Sequence, residues 1–239
     1  MKSYLQRLKD TYLTGWGRQE TVILLSSALL LTLHRKYSRT RIFRTHFADY
    51  FTDFPLSESY PYYYWFLSTA VTLFLFPILV GFIGTKMPLK EYGIRLGNAR
   101  IGLIVTVVAV VFMIPVILAA VVIYPAFLDK YPLSKVVAIH WKPFLLYQLA
   151  YGVYMFSWEF FFRGYMLFGL EKRFGNYSIL IQTIPFAVMH FSKPFPEAIG
   201  SILAGVFLGV LAFETRSFIY GAMIHWFVAM TMDIVAISF

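Results

Sequence analysis

The chain has 239 residues, of which 59% are hydrophobic and 14% charged. Soluble domains carry about 25% charged residues, so this composition excludes a soluble globular domain. The absence of cysteine excludes disulfides, thiol nucleophiles and thiolate metal sites. The net charge of +9 does not indicate a nucleic-acid partner, because basic residues cluster beside apolar stretches, as they do near lipid headgroups. One such cluster is Arg35, Lys36, Arg39, Arg41 and Arg44.

The apolar stretches predict an all-α fold, a polytopic membrane helix bundle with about six or seven transmembrane helices. The first stretch, residues 21–33, has the length of either a short span or an interfacial helix. Two uncharged spans follow at about 63–85 and 101–123, and Pro115 predicts a kink in the second.

The chain changes character after residue 142. One long helix is predicted over residues 143–172, and three further apolar stretches follow at about 177–192, 197–213 and 217–238. Gly205 and Gly209 form a GxxxG pair, which predicts close packing against a neighbouring helix. We therefore divide one membrane domain into an N-terminal interfacial segment with scaffold helices, residues 1–142, and a C-terminal helix core, residues 143–239.

Five ionisable side chains other than tyrosine lie inside predicted spans: Glu159, Arg163, His190, His225 and Asp233. A charged side chain at membrane depth costs at least about 2.5–3.5 kcal/mol, so each needs a partner or a function. Glu159 and Arg163 are four residues apart on one helix face, which predicts an ion pair. The pair and the histidines also have a structural interpretation, as buried contacts between helices. Their convergence from three consecutive apolar segments favours one functional site.

Two chemistries suit this set. Glu159, His190 and His225 are suitable ligands for zinc or another divalent metal, with one position left for water. Without metal, Glu159 could activate water as a general base, while the histidines polarise a carbonyl or stabilise its oxyanion. Both alternatives place the three side chains around a common cavity, with Arg163 orienting Glu159.

These residues occur in three ordered motifs: Trp158-Glu159-Phe-Phe-Phe-Arg163, Phe186-Ala-Val-Met-His190, and His225. In this pattern residues 143–238 resemble the CPBP family of intramembrane proteases, which comprises CAAX proteases and bacteriocin-processing (Abi) enzymes. The resemblance implies a metalloendopeptidase or glutamate-dependent endopeptidase of the bacterial plasma membrane. Its expected partners are membrane lipids and a peptide or lipidated protein substrate. Its catalytic residues would be Glu159, Arg163, His190 and His225.

The chain departs from the family pattern at two positions. Trp158 replaces a glutamate that the family often uses to activate water, and Ala229 replaces an Asn or Asp. Asp233 follows His225 by eight residues, about 12 Å along a helix. These departures motivate a second hypothesis, a non-catalytic scaffold or binding protein of the same fold. A third hypothesis is a proton-coupled carrier, because intramembrane ionisable residues also mark ion paths.

Overall fold

The computed structural model describes residues 3–85 and 87–239, and within these residues every regular element is a helix. The predicted all-α polytopic bundle is thus confirmed. Seven long helices are α1 (Arg18–Tyr37), α2 (Ser57–Gly84), α3 (Ala99–Ile123), α4 (141–174), α5 (Tyr177–Met189), α6 (Phe195–Thr215) and α7 (Ile219–Ser238). Shorter helical segments are Tyr4–Leu8, Lys9–Leu13, Thr40–His46, Ala48–Phe51, Leu89–Tyr92, Ala126–Lys130 and Lys135–Ile139.

Four of these helices are long and apolar enough to cross a membrane: α2, α3, α6 and α7. Helix α5 is apolar but has only 13 residues. Helix α1 extends well beyond the predicted stretch 21–33 and has 20 residues, yet it is not among the four. By length and composition, the described residues therefore account for four of the six or seven predicted spans.

Helix α4 forms the centre of the bundle. It joins an α-helical segment, Trp141–Glu159, a π-helical segment, Phe160–Phe168, and an α-helical segment, Gly169–Phe174. At 1.5 Å per residue its α-helical segments alone span about 38 Å, which exceeds the roughly 30 Å bilayer core. All nine residues of the π-helical segment are buried. The predicted long helix is confirmed, and α2, α5 and α7 pack around it.

Helices α5 and α6 pack closely at the predicted glycine pair. A Cβ atom added to Gly205 would lie 2.7 Å from the Cγ2 atom of Thr183, and one added to Gly209 would lie 2.8 Å from Ile179. The amide of Gln182 donates a hydrogen bond to the Gly205 carbonyl at 2.9 Å. Because α5 also contacts the π-helical segment of α4, this packing holds His190, at the end of α5, beside the core.

Candidate active site

Glu159 and Arg163 form the ion pair that their spacing predicts. Nη1 of Arg163 donates to Oε1 of Glu159 at 3.0 Å, and neither side chain has exposed surface. The guanidinium carbon also lies 4.0 Å from the centre of the Phe186 ring on α5. Each charge therefore has its partner inside the bundle, as burial of a charge requires.

His225 of α7 contacts the same carboxylate oxygen. Its Nδ1 lies 2.8 Å from Oε1 of Glu159. Because an ionised carboxylate only accepts hydrogen bonds, Nδ1 carries a proton, and in the neutral imidazole this leaves Nε2 of His225 as an acceptor. Gly221 lies one turn earlier, where an added Cβ atom would come within 3.2 Å of Oε2 of Glu159. The missing side chain lets α7 approach the carboxylate.

His190 is oriented in the same way by a backbone group. Its Nδ1 lies 2.8 Å from the carbonyl oxygen of Phe186, which can only accept, so Nε2 is again the free nitrogen. The rings of His190 and His225 are 6.2 Å apart and inclined by 22°. Two nearly parallel imidazoles thus line one cavity.

This cavity has a volume of about 790 Å³ and extends to the outer surface of the bundle between α3 and α6. Val108 and Phe112 of α3 line it and are 62% and 66% exposed, and Phe207 of α6 lines it and is 45% exposed. Apolar side chains that are exposed in this way suit contact with lipid chains. The cavity is therefore open to the lipid-facing side.

The structure changes the expected position of Glu159. The expectation that the three side chains face a common cavity is confirmed for His190 and His225 but is wrong for Glu159, which has no exposed surface. The neighbouring residue, Trp158, lines the cavity instead, and its ring meets His190 edge to face at 5.9 Å. In this arrangement the two imidazoles line the cavity and the carboxylate does not.

The side chains of Glu159, His190 and His225 are not arranged around a position that a metal ion could occupy. Within the residues that the structure describes, no three His, Cys, Asp or Glu side chains are positioned to hold one. Zinc ligands lie about 2 Å from a shared ion, whereas Oε1 of Glu159 already accepts hydrogen bonds from Arg163 and His225. The predicted ligands Glu159, His190 and His225 are thus close together but engaged with one another and with the backbone.

Asp233 does not replace the polar residue missing at Ala229. Its Oδ2 accepts a hydrogen bond from Nε2 of Gln148 at 2.7 Å, and its side chain is buried between α4 and α7. Ala229 lines the cavity, whereas Asp233 does not. Asp233 lies four residues beyond Ala229 on α7, and at that position its side chain contacts α4 instead of lining the cavity. Asp233 therefore joins two helices.

The sequence did not indicate a second polar cluster at the cavity wall. The Tyr131 hydroxyl donates to both carboxylate oxygens of Glu197 at 2.9 Å, and Nζ of Lys193 contacts Glu197 Oε1 at 3.1 Å and the Tyr131 hydroxyl. Burial and the charge of Glu197 raise the pKa of Tyr131 well above its usual value, which keeps its hydroxyl a donor. The four-residue spacing of Lys193 and Glu197 could have signalled the pair, but the contact with Tyr131 spans 66 residues.

The described geometry coincides with a family match. Residues 140–231 match the family model described as type II CAAX prenyl endopeptidase Rce1-like. The matched segment contains all four predicted site residues, and the predicted resemblance is confirmed. No curated protein and no solved structure shows a significant match. The family match supports a CAAX-type intramembrane endopeptidase and, with the four apolar helices, an integral membrane protein.

Proposed function

We propose that the chain is an endopeptidase of the bacterial plasma membrane that hydrolyses a peptide bond in a prenylated protein or another membrane-associated peptide. One observation carries this proposal: the buried carboxylate of Glu159 holds His225 beside His190 on a cavity open to lipid. A buried carboxylate that fixes an imidazole tautomer is a recurrent arrangement in hydrolases. The family match supports the same reaction class.

The imidazoles, rather than Glu159, activate the water in this proposal. When both rings are neutral, Nε2 of each is an acceptor, so one water molecule between them could donate a hydrogen bond to each ring. As the water oxygen attacks the carbonyl carbon, its proton passes to Nε2 of His225. The carbon–nitrogen bond then breaks, and His225 returns this proton to the leaving amine.

Glu159 and Arg163 act as positioning residues behind His225. The negative charge of Glu159 stabilises the imidazolium that forms when His225 accepts a proton, because the carboxylate bonds directly to Nδ1. Arg163 holds that carboxylate in place and neutralises it in the resting state. No step requires a metal ion; a requirement for zinc or another divalent metal stays a prediction of the sequence, which metal analysis of the purified protein tests.

The cavity indicates an apolar substrate. Prenylation places a lipid chain on a cysteine near the C-terminus of a protein, so the scissile bond of such a substrate lies at the membrane surface. A cavity of about 790 Å³ with apolar walls and a lateral opening admits such a chain from the bilayer. This feature favours a protease over a scaffold, which has no need of an open cavity beside ionisable groups.

The test compares Glu159→Gln with the unmodified full chain in lipid nanodiscs. A farnesylated peptide with a C-terminal CAAX sequence and a fluorophore–quencher pair reports cleavage. Glutamine keeps the shape but removes the charge that fixes His225, so cleavage should fall by at least about 10²-fold. The control, Glu214→Gln, removes an exposed carboxylate on α6 and should cleave normally. Full cleavage by a folded Glu159→Gln protein would end the protease assignment.

A further inference from the structure

Three basic side chains line the same cavity as the two histidines: Arg39, Lys130 and Lys193. Each comes from a different connection between helices: after α1, after α3, and between α5 and α6. Among the lining residues in the described part of the chain, Glu197 is the one carboxylate. With neutral histidines, the wall of the cavity therefore carries an excess of two positive charges.

This positive charge is only partly compensated. Lys193 pairs with Glu197, but the ion pairs among the described residues do not include Arg39 or Lys130. Burial and then the charge of Lys193 lower the pKa of the Lys130 ammonium group, while the charge of Glu197 raises it and that of Arg39 lowers it. Burial and Arg35 lower the pKa of Arg39. Partly desolvated cations that repel one another gain stability when an anion binds between them.

One of these cations, Lys193, lies close along the chain to His190. The backbone N–H of Lys193 bonds to the carbonyl of His190 at 2.9 Å, so the chain makes a tight turn between the two residues. Their Cα atoms are then within about 7 Å. A CAAX sequence forms the C-terminus of its protein, and cleavage within it releases at most three residues. Three extended residues span up to about 10 Å, so the terminal carboxylate stays close to the scissile bond.

We propose that Arg39, Lys130 and Lys193 form an anion-binding end of the active-site cavity, which takes the C-terminal carboxylate of the peptide substrate. This assignment rests on the proposed endopeptidase function. It accounts for the presence of basic residues from three separate connections on the wall of the cavity that also bears His190. A lipid phosphate offers the same anionic oxygen chemistry, and the experiment separates the two sources.

The experiment measures binding rather than turnover. The Glu159→Gln chain, in nanodiscs of neutral phosphatidylcholine, is titrated with a fluorescent farnesylated CAAX peptide that ends in a free carboxylate or in an amide. A charge-assisted contact predicts about tenfold weaker binding of the amide. Lys130→Gln should weaken binding of the carboxylate peptide and leave the amide peptide unchanged. Arg39→Gln serves as a second variant, and Lys172→Gln, an exposed lysine near the end of α4, is the matched control.

Equal affinity for the carboxylate and the amide would overturn the proposal. It would also be overturned if Lys130→Gln changed only the response to added phosphatidylglycerol, since that result would assign the cations to lipid headgroups. The failure of the proposed function has a different signature: the unmodified chain would not cleave the peptide, although binding still depended on the terminal carboxylate. In that case the anion site would stand without hydrolysis.

Discussion

At the scale of single residues, the decisive contact is the hydrogen bond between Glu159 and His225. A glutamate exposed to water would be the base itself, but this carboxylate is enclosed and faces Nδ1 of the imidazole. Trp158 stands where the resembling family has the first glutamate of its Glu-Glu pair, and its ring lies against His190. His225, in contrast, lines the cavity and has a side-chain exposure of 20%.

Chemical rescue of inactive variants with free imidazole tests whether His225 or Glu159 acts as the base. His225→Ala should abolish cleavage and leave a space beside the cavity, into which free imidazole can diffuse and hydrogen-bond to Glu159. Imidazole should restore part of the cleavage rate of His225→Ala but none of that of Glu159→Gln. The measurement is the initial rate against imidazole concentration. Rescue of neither variant, with both proteins folded, would argue against proton transfer through His225.

Arg163 is expected to support the fold as well as the site. Arg163→Ala leaves the buried Glu159 carboxylate without its strongest partner, and breaking a buried pair costs about 3–5 kcal/mol. We expect a lower yield of folded protein in the membrane and a lower melting temperature, measured by fluorescence-detected size exclusion. Arg173→Ala, an exposed position on the same helix, provides the comparison. An unchanged melting temperature in Arg163→Ala would contradict the role of the ion pair.

At the scale of elements, the site depends on the close approach of α7 to α4. Gly221→Ala places a methyl group about 3.2 Å from Oε2 of Glu159, closer than ordinary van der Waals contact. Alanine also favours the helix by up to about 1 kcal/mol over glycine, so stability and activity should change differently. We expect a large fall in cleavage with little loss of thermal stability.

The control for this prediction is Gly200→Ala on α6, where an added Cβ atom meets no neighbour within 4 Å. Both variants are compared by kcat and by melting temperature. Normal kcat in Gly221→Ala would show that the spacing between α7 and the carboxylate is not critical for the reaction.

At the scale of the whole molecule, the cavity joins the site to the lipid-facing surface. Ala109 of α3 lines this cavity, whereas Val107, two residues earlier, is exposed and does not line it. Ala109→Trp should fill part of the passage and raise KM for a farnesylated peptide more than for the same peptide without the lipid. Val107→Trp adds the same bulk on the lipid-facing side and should change neither KM. An equal effect of both variants would contradict lateral entry.

The sequence by itself determined the helical class, the long helix α4 and the pairing of Glu159 with Arg163. These features depend on hydrophobicity along the chain and on spacing within one helix, both of which are local. The close packing at Gly205 and Gly209 was predictable for the same reason, since two small residues four apart share one helix face. The extent of α1 was not, because its polar first and last turns carry no hydrophobic signal.

Only the tertiary structure decided which atoms meet. The enclosure of Glu159, the free Nε2 atoms of the two histidines and the inward direction of Asp233 depend on how each helix is rotated about its axis. The contact of Tyr131 with Glu197 joins residues 66 positions apart. Contacts of this kind are set by the packing of helices against one another, which the hydrophobic pattern of the individual spans does not specify.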